Sequence, residues 1–169
     1  MIETKRLILR RFEENDAQAM FDNWASDPEV TKYLTWPTHQ NIETTKFIIN
    51  MWLNDYENNP HRFGIVLKET NELIGSIDVV STENNVPEIG YVLSRKYWSQ
   101  GIMTEACKAL INYLFAFGFS KIKIKAVVEN IGSNKVIEKC GFVFTSQEKI
   151  TVEKETKEIK DVNVYELIK

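Results

Sequence analysis

The sequence predicts an α+β domain, a mostly antiparallel mixed sheet flanked by helices, and three observations predict it. Apolar residues recur with period two in several short stretches and with helical period in longer ones. The stretches follow one another as strand, two helices, three strands, helix, strand, short helix and two strands. No repeat, low-complexity tract or linker divides the 169 residues, so residues 1–169 are expected to form one domain.

Residues 7–12 alternate as the first strand. Asn15 or Asp16 then suits the cap of a helix that carries Ala17, Met20, Phe21 and Trp24 and stops near Asp27-Pro28. A second helix is expected after Asn41, through Ile42, Phe47, Ile48, Met51 and Trp52, until Asn58, Asn59 and Pro60 break it. Between the helices lies an aromatic loop, Tyr33-Leu34-Thr35-Trp36-Pro37. Residues 63–68, 73–81 and 88–93 are rich in Ile, Val and aromatics and read as an antiparallel meander. Its turns fall at Asn71-Glu72 and at Asn84-Asn85-Val86-Pro87.

After Gly101 the period becomes helical: Met103, Cys107, Leu110, Ile111, Leu114 and Phe115 share one face, and Gly118 is the stop. Residues 121–128 read as a strand, residues 133–139 as a short helix ended by Gly141, and residues 142–152 and 162–167 as a hairpin around the charged stretch 153–160.

Composition narrows the function. No apolar run approaches the roughly 18 residues of a membrane span, and the amino terminus lacks the pattern of a secretory signal, so a cytoplasmic location is expected. Cys107 and Cys140 are far apart and without nearby histidines; they are read as reduced, buried thiols, and no metal site is expected. A net charge of −3 argues against direct nucleic-acid binding.

Residues 88–106 form a strand, a short loop and the start of a long helix. The unpaired amides of a first helical turn point outward at its positive end, and a glycine lets an anion approach closely. A pyrophosphate can therefore sit on Ser99, Gln100, Gly101, Ile102, Met103 and Thr104. A strand-to-helix turn also carries glycine for purely conformational reasons. The loop contains neither the dinucleotide fingerprint nor the P-loop pattern.

Along this segment stand Glu88-Ile89-Gly90-Tyr91, Tyr97-Trp98, Gly101 and Thr104-Glu105-Ala106 in order. With these residues it resembles the coenzyme A motif of the GNAT acetyltransferases, and in particular of the RimJ/RimL-type ribosomal-protein N-terminal acetyltransferases. A second match runs through Glu129-Asn130, Ser133-Asn134, Glu138-Lys139 and Gly141-Phe142, and residues 4–10 are similar to the branch's first strand. The chain departs from the general pattern at Trp98, Met103 and Ile137, the last standing where many members place a tyrosine general acid.

The resemblance implies a GNAT-like fold with a splay between the fourth and fifth strands, counted from residues 7–12, and direct acetyl transfer from acetyl-CoA to a primary amine. It implies that the main chain of Tyr91, Val92 and Leu93 pairs with the pantetheine arm and that Asn130 and Asn134 contact the coenzyme. Ser133 is then the expected donor to the thiolate, although a serine before a short helix is also an ordinary cap. Glu88, with Glu129 second, is the expected acceptor of the amine's proton, although a glutamate at a strand edge is often only a solvated charge. Tyr33, Trp36 and Trp98 are expected around the acceptor. An α-amine of pKa about 8 costs roughly 1.4 kcal/mol to deprotonate near neutral pH, against about 5 for a lysine, which favours a protein amino terminus such as that of a ribosomal protein. The alternatives are a small amine (polyamine, aminoglycoside or amino-acid analogue) and a non-catalytic acetyl-CoA-binding module. Either a monomer or a homodimer fits.

Overall fold

The computed structural model describes residues 1–169, organised around an eight-stranded sheet in the order β1-β2-β3-β4-β5-β6-β8-β7. β1 (Ile2–Glu3) is a two-residue strand beyond those predicted, and it pairs with β2 (Leu7–Arg10). β3 (Arg62–Leu67), β4 (Glu72–Glu83) and β5 (Val86–Leu93) form the expected antiparallel meander. Its tight turns put Asn71, Asn84 and Asn85 at positive φ, which asparagine tolerates better than most residues. β7 (Val143–Glu153) and β8 (Lys157–Ile168) form a longer hairpin than expected, because the charged residues continue the ladder from Lys149↔Asp161 to Glu153↔Lys157.

The first helical segment departs from a plain helix. A 3₁₀ turn (Glu14–Asp16) leads into α1 (Ala17–Met20), which continues as a π turn through Phe21–Ala25. Asp16 stands at the cap of α1 but its side chain makes no capping bond: it accepts from the Glu13 amide at 2.7 Å and pairs with Arg10 at 2.8 Å. The chain resumes helix after Asp27 in α2 (Pro28–Thr31), with the Asp27 side chain accepting from Glu29 N–H. α3 (Ile42–Asn54) starts on the expected cap, Asn41, whose side chain accepts from Thr44 N–H.

α4 (Ile102–Phe117) buries Ile102, Met103, Ala106, Cys107, Leu110, Ile111 and Leu114 against one face of the sheet. Each large apolar side chain so buried contributes about 1.5–3 kcal/mol. α5 (Ile131–Lys139) packs on the same face, with Ile137 fully buried. It begins two residues before the expected start and is capped by Asn130, whose carbonyl oxygen accepts from the Ser133 amide at 3.3 Å; Ser133 is therefore not the cap. The opposite face carries α1 and α3 around Trp24, Met20 and Ile49. Cys107 is buried, whereas Cys140 is only half-buried. No helix is long and apolar enough to cross a membrane.

β6 (Lys121–Val127) is the one strand parallel to its neighbour, β5, and the two pair only at Glu88↔Lys123 and Ile89↔Ile124. β5 stays bonded to β4 as far as Leu93, while β6 stays bonded to β8 as far as Val127. The pair therefore parts beyond Ile89. The four remaining residues of β5 span roughly 13 Å at about 3.3 Å per residue. This is the splay expected between the fourth and fifth strands, which become β5 and β6 once the short β1 is counted.

Candidate active site

The open end of this wedge points at the start of α4. Gly101 caps the helix at φ 75°, a left-handed conformation that a side chain opposes, and Ser99 also has positive φ. The backbone N–H groups of Ser99, Gln100 and Gly101 find no acceptor in the protein, and those of Ile102, Met103 and Thr104 precede the first helical bond, from Glu105 N–H to Gly101 O. Six consecutive amides are thus left without a protein acceptor at the positive end of α4, where a helix terminus favours negative charge by about 0.3–1 kcal/mol. Met103 points inward with Cys107, so its side chain leaves its amide free.

Arg6, just before β2, braces the loop. Its guanidinium pairs with Glu105 at 2.7 Å and donates to Gln100 O at 2.9 Å, and the Arg6 amide donates to the same carboxylate at 3.0 Å. Burial pushes the Glu105 carboxyl up, but hydrogen bonds from Arg6 and Thr4 outweigh it and hold Glu105 below its usual 4.5. The glutamate of the Thr104-Glu105-Ala106 triplet therefore fixes the loop. Sequence reading matched residues 4–10 without finding this link.

Strand alternation sends the residues of β5 to opposite faces. Ile89 and Tyr91 face α4 and α5, while Glu88, Gly90 and Val92 face α1 and α3. Tyr91 Oη lies 2.8 Å from Ser133 Oγ and donates to Ser133 O at 3.2 Å, so the β5 tyrosine and the α5 serine meet beside the wedge. Burial pushes the Tyr91 hydroxyl well above the usual tyrosine range, with the bond to Ser133 opposing only in part, so Tyr91 is a neutral donor at physiological pH. Only its main chain had been assigned a role. Ile137 is fully buried in the core.

On the other face Glu88 lies 3.4 Å from Lys125 of β6, which also pairs with Glu148 of β7 at 3.1 Å. Burial lowers the Lys125 pKa, but the two glutamates more than restore it. A second carboxylate on this face escaped the sequence reading. Asp78 stands opposite Gly90 on β4 and pairs with Arg62 at 3.2 Å, yet burial raises its pKa against the pull of that arginine. Its signal was a charge inside an otherwise apolar strand. Gly90 has to be glycine, because a Cβ there would lie 2.7 Å from Val80 Cγ1, the residue where β4 bulges. Glu129 is exposed in the turn after β6.

The remaining predicted residues divide. Asn130 spends its oxygen on the cap of α5. Asn134 does not join the binding surface: it is buried, its amide group donates to Val127 O and Asn130 O, and its oxygen accepts from Asn163 and Tyr165. Every hydrogen-bonding group of its side chain is spent on joining α5, β6 and β8. Tyr33 lines a narrow cleft with Leu34, Val127, Val152 and Lys154, on the α1–α3 side of the wedge. Trp36 packs instead on the α1–α3 cluster, 5.2 Å from the ring of His39. Trp98 turns back to donate to Leu93 O at 2.9 Å, occupying a carbonyl expected to face the pantetheine arm.

The wedge thus separates two sets of groups: the unpaired amides and the Tyr91–Ser133 pair on one side, two carboxylates and the Tyr33 cleft on the other. The sequence matches the acetyltransferase (GNAT) domain over residues 6–143, and the chain belongs to that family of N-acetyltransferases. It is 38% identical over 144 residues to the uncharacterized N-acetyltransferase p20 of Bacillus licheniformis, covering 82% of this chain and 80% of that protein. It is 32% identical over 114 residues to the ribosomal-protein-serine acetyltransferase of Escherichia coli, covering 65% of this chain and 63% of that one. A GNAT-family acetyltransferase structure from Bacillus anthracis superposes with a TM-score of 0.86 at 27% identity, covering 99% and 97% of the two chains.

Proposed function

We propose that the chain transfers the acetyl group of acetyl-CoA directly to the α-amine of a protein amino terminus, such as that of a ribosomal protein. The observation that carries this reading is the parting of β5 from β6 between the unpaired amides of residues 99–104 and the Tyr91–Ser133 pair. A ligand with a pyrophosphate and a narrow arm fits that combination, and bound acetyl-CoA supplies the thioester. The amides hold the pyrophosphate, and the freed main chain of Gly90, Tyr91 and Val92 orients the arm. Ser133 donates a hydrogen bond from its hydroxyl to the sulfur as the C–S bond breaks, Tyr91 Oη beside it holds that hydroxyl in place, and the released thiolate takes its proton from water. Glu88 and Asp78, flanking Gly90 on the other face, take the proton released by the amine through intervening water.

Similarity to a ribosomal-protein-serine acetyltransferase supports an α-amine acceptor. The cost of deprotonation supports it too, being about 3.5 kcal/mol smaller for an α-amine than for a lysine near pH 7. Polyamines and aminoglycosides fit less well, since the Tyr33 cleft carries Lys32, Lys154 and Lys160 against Glu158 alone. A peptide bearing both a free amino terminus and an internal lysine tests the reading, with thiol release followed in time and the product sequenced by mass spectrometry. The α-amine is expected to be acetylated first. Preferential lysine modification at pH 7 would overturn the assignment.

A further inference from the structure

The cleft beside the wedge has a charge pattern that the transfer chemistry does not require. Lys32 leaves the end of α2 with its ammonium 5.4 Å from the centre of the Tyr33 ring, while Lys154 and Lys160 come from the turn and second strand of the terminal hairpin. Alternation along β8 puts Lys160 on the same face as Val162, the partner of Val127, so these ammonium groups border the end of β6 where it leaves β5. Lys160 is partly neutralised by Glu158 at 3.2 Å. Lys154 has no carboxylate partner: its ammonium donates to Thr31 O at 2.8 Å, holding the end of α2 against the hairpin just before the aromatic loop. Burial, opposed by Glu158 and reinforced by Lys160, lowers the Lys154 pKa. The start of α2 is pinned as well, where Asp27 pairs with Arg95 just beyond β5 at 3.0 Å.

Two consequences follow for an amine placed at the wedge. The nearby positive charge disfavours its ammonium form, so part of the deprotonation that the mechanism needs comes from the cleft itself. The same charge repels a polycation and attracts an anion attached a short distance from the amine.

We propose that the preferred acceptor is an acidic amino terminus, in which carboxylate side chains within the first few residues after the free α-amine are bound by Lys154 and Lys160, with Lys32 at the rim. This inference rests on the α-amine reading above. It adds that the residues following the acetylated one select the substrate by charge.

The test compares three peptides of equal length and identical first residue, followed by acidic, neutral or basic residues, using the full chain and thiol release at low and high salt. The expected order of kcat/KM is acidic, neutral, basic, with a gap of roughly three- to tenfold per step that narrows at high salt. In Lys160→Gln, and in Lys154→Gln if its melting temperature shows it folded, the ratio of acidic to neutral kcat/KM should fall toward one. Equal rates on the three peptides, or a preference that survives in both variants, would overturn the charge selection while leaving α-amine transfer standing. Turnover on none of them, with acetyl-CoA still bound in calorimetry, would overturn the α-amine reading and this inference together.

Discussion

Replacing Ser133 by alanine separates the two jobs a serine at this position can do. Because Asn130 caps α5, the hydroxyl is free of that duty, and its partner is Tyr91 Oη at 2.8 Å. Alanine removes one half-buried hydrogen bond, worth about 0.5–1.5 kcal/mol, and Tyr91 keeps its bond to Ser133 O at 3.2 Å, so no buried donor is orphaned. For a chain of this size that is a fall in Tm of roughly 1–6 °C. Turnover at saturating acetyl-CoA should fall by roughly ten- to a thousandfold, as for loss of a general acid or a transition-state donor, with coenzyme affinity nearly unchanged. Asn130→Ala supplies the stability control, since deleting the real cap should cost about 1 kcal/mol. Tyr91→Phe leaves Ser133 in place without its orienting donor and should lower turnover by roughly two- to tenfold, the worth of one hydrogen bond. Melting temperature and saturated turnover measured on one sample decide the matter. Near-wild-type turnover in a Ser133→Ala protein with a lowered Tm would refute the catalytic assignment.

Gly101→Ala should weaken acetyl-CoA binding in calorimetry, because a Cβ at the cap of α4 crowds the unpaired amides on which the pyrophosphate is proposed to sit. Its left-handed backbone should also cost about 1–2 kcal/mol of stability, with Arg6 only 3.6 Å from the added carbon; unchanged affinity in the folded variant would displace the phosphate site. Glu105→Gln should lose the charge-assisted bonds to Arg6, about 1.5–3 kcal/mol. Since the folded carboxyl titrates below its usual 4.5, its contribution is complete above that pH and disappears as pH falls through the lower, folded value. Denaturant midpoints of the two proteins should therefore converge in acid, and a gap of constant size down to pH 3 would contradict the brace.

The elements with unbroken periodicity were legible: α3 on its Asn41 cap, the three-strand meander, and α4 from Gly101 to Gly118. The unpaired amides before α4 were legible for the same reason, since they depend on where a helix starts and hardly on side-chain identity. What escaped depends on tertiary partners. β1 has two residues and exists only because β2 lies beside it. Phe21–Ala25 keeps its apolar spacing while widening to a π turn, a change that composition does not encode. The cap of α5 was misplaced because both Asn130 and Ser133 are good capping residues, and the choice was made by where β6 ends. Arg6 with Glu105, Tyr91 with Ser133 and Asp78 with Arg62 join residues far apart in the chain, and a single sequence carries no sign of such pairings.

The two rungs between Glu88–Lys123 and Ile89–Ile124 have a mechanical meaning. In hydrogen bonds the sheet is two plates, β1 to β5 and β6 with β8 and β7, riveted at one end and held together along the rest by side chains such as Tyr91, Leu93 and Ala126 in a shared core. Apolar contacts resist separation without fixing the angle between the plates, because they lack the directionality of a ladder. An arm laid along Gly90 to Val92, as proposed above, would add rungs where the native ladder ends and so stiffen the joint. On that proposal the donor substrate would also be a structural strut, setting the width of the crevice offered to the amine.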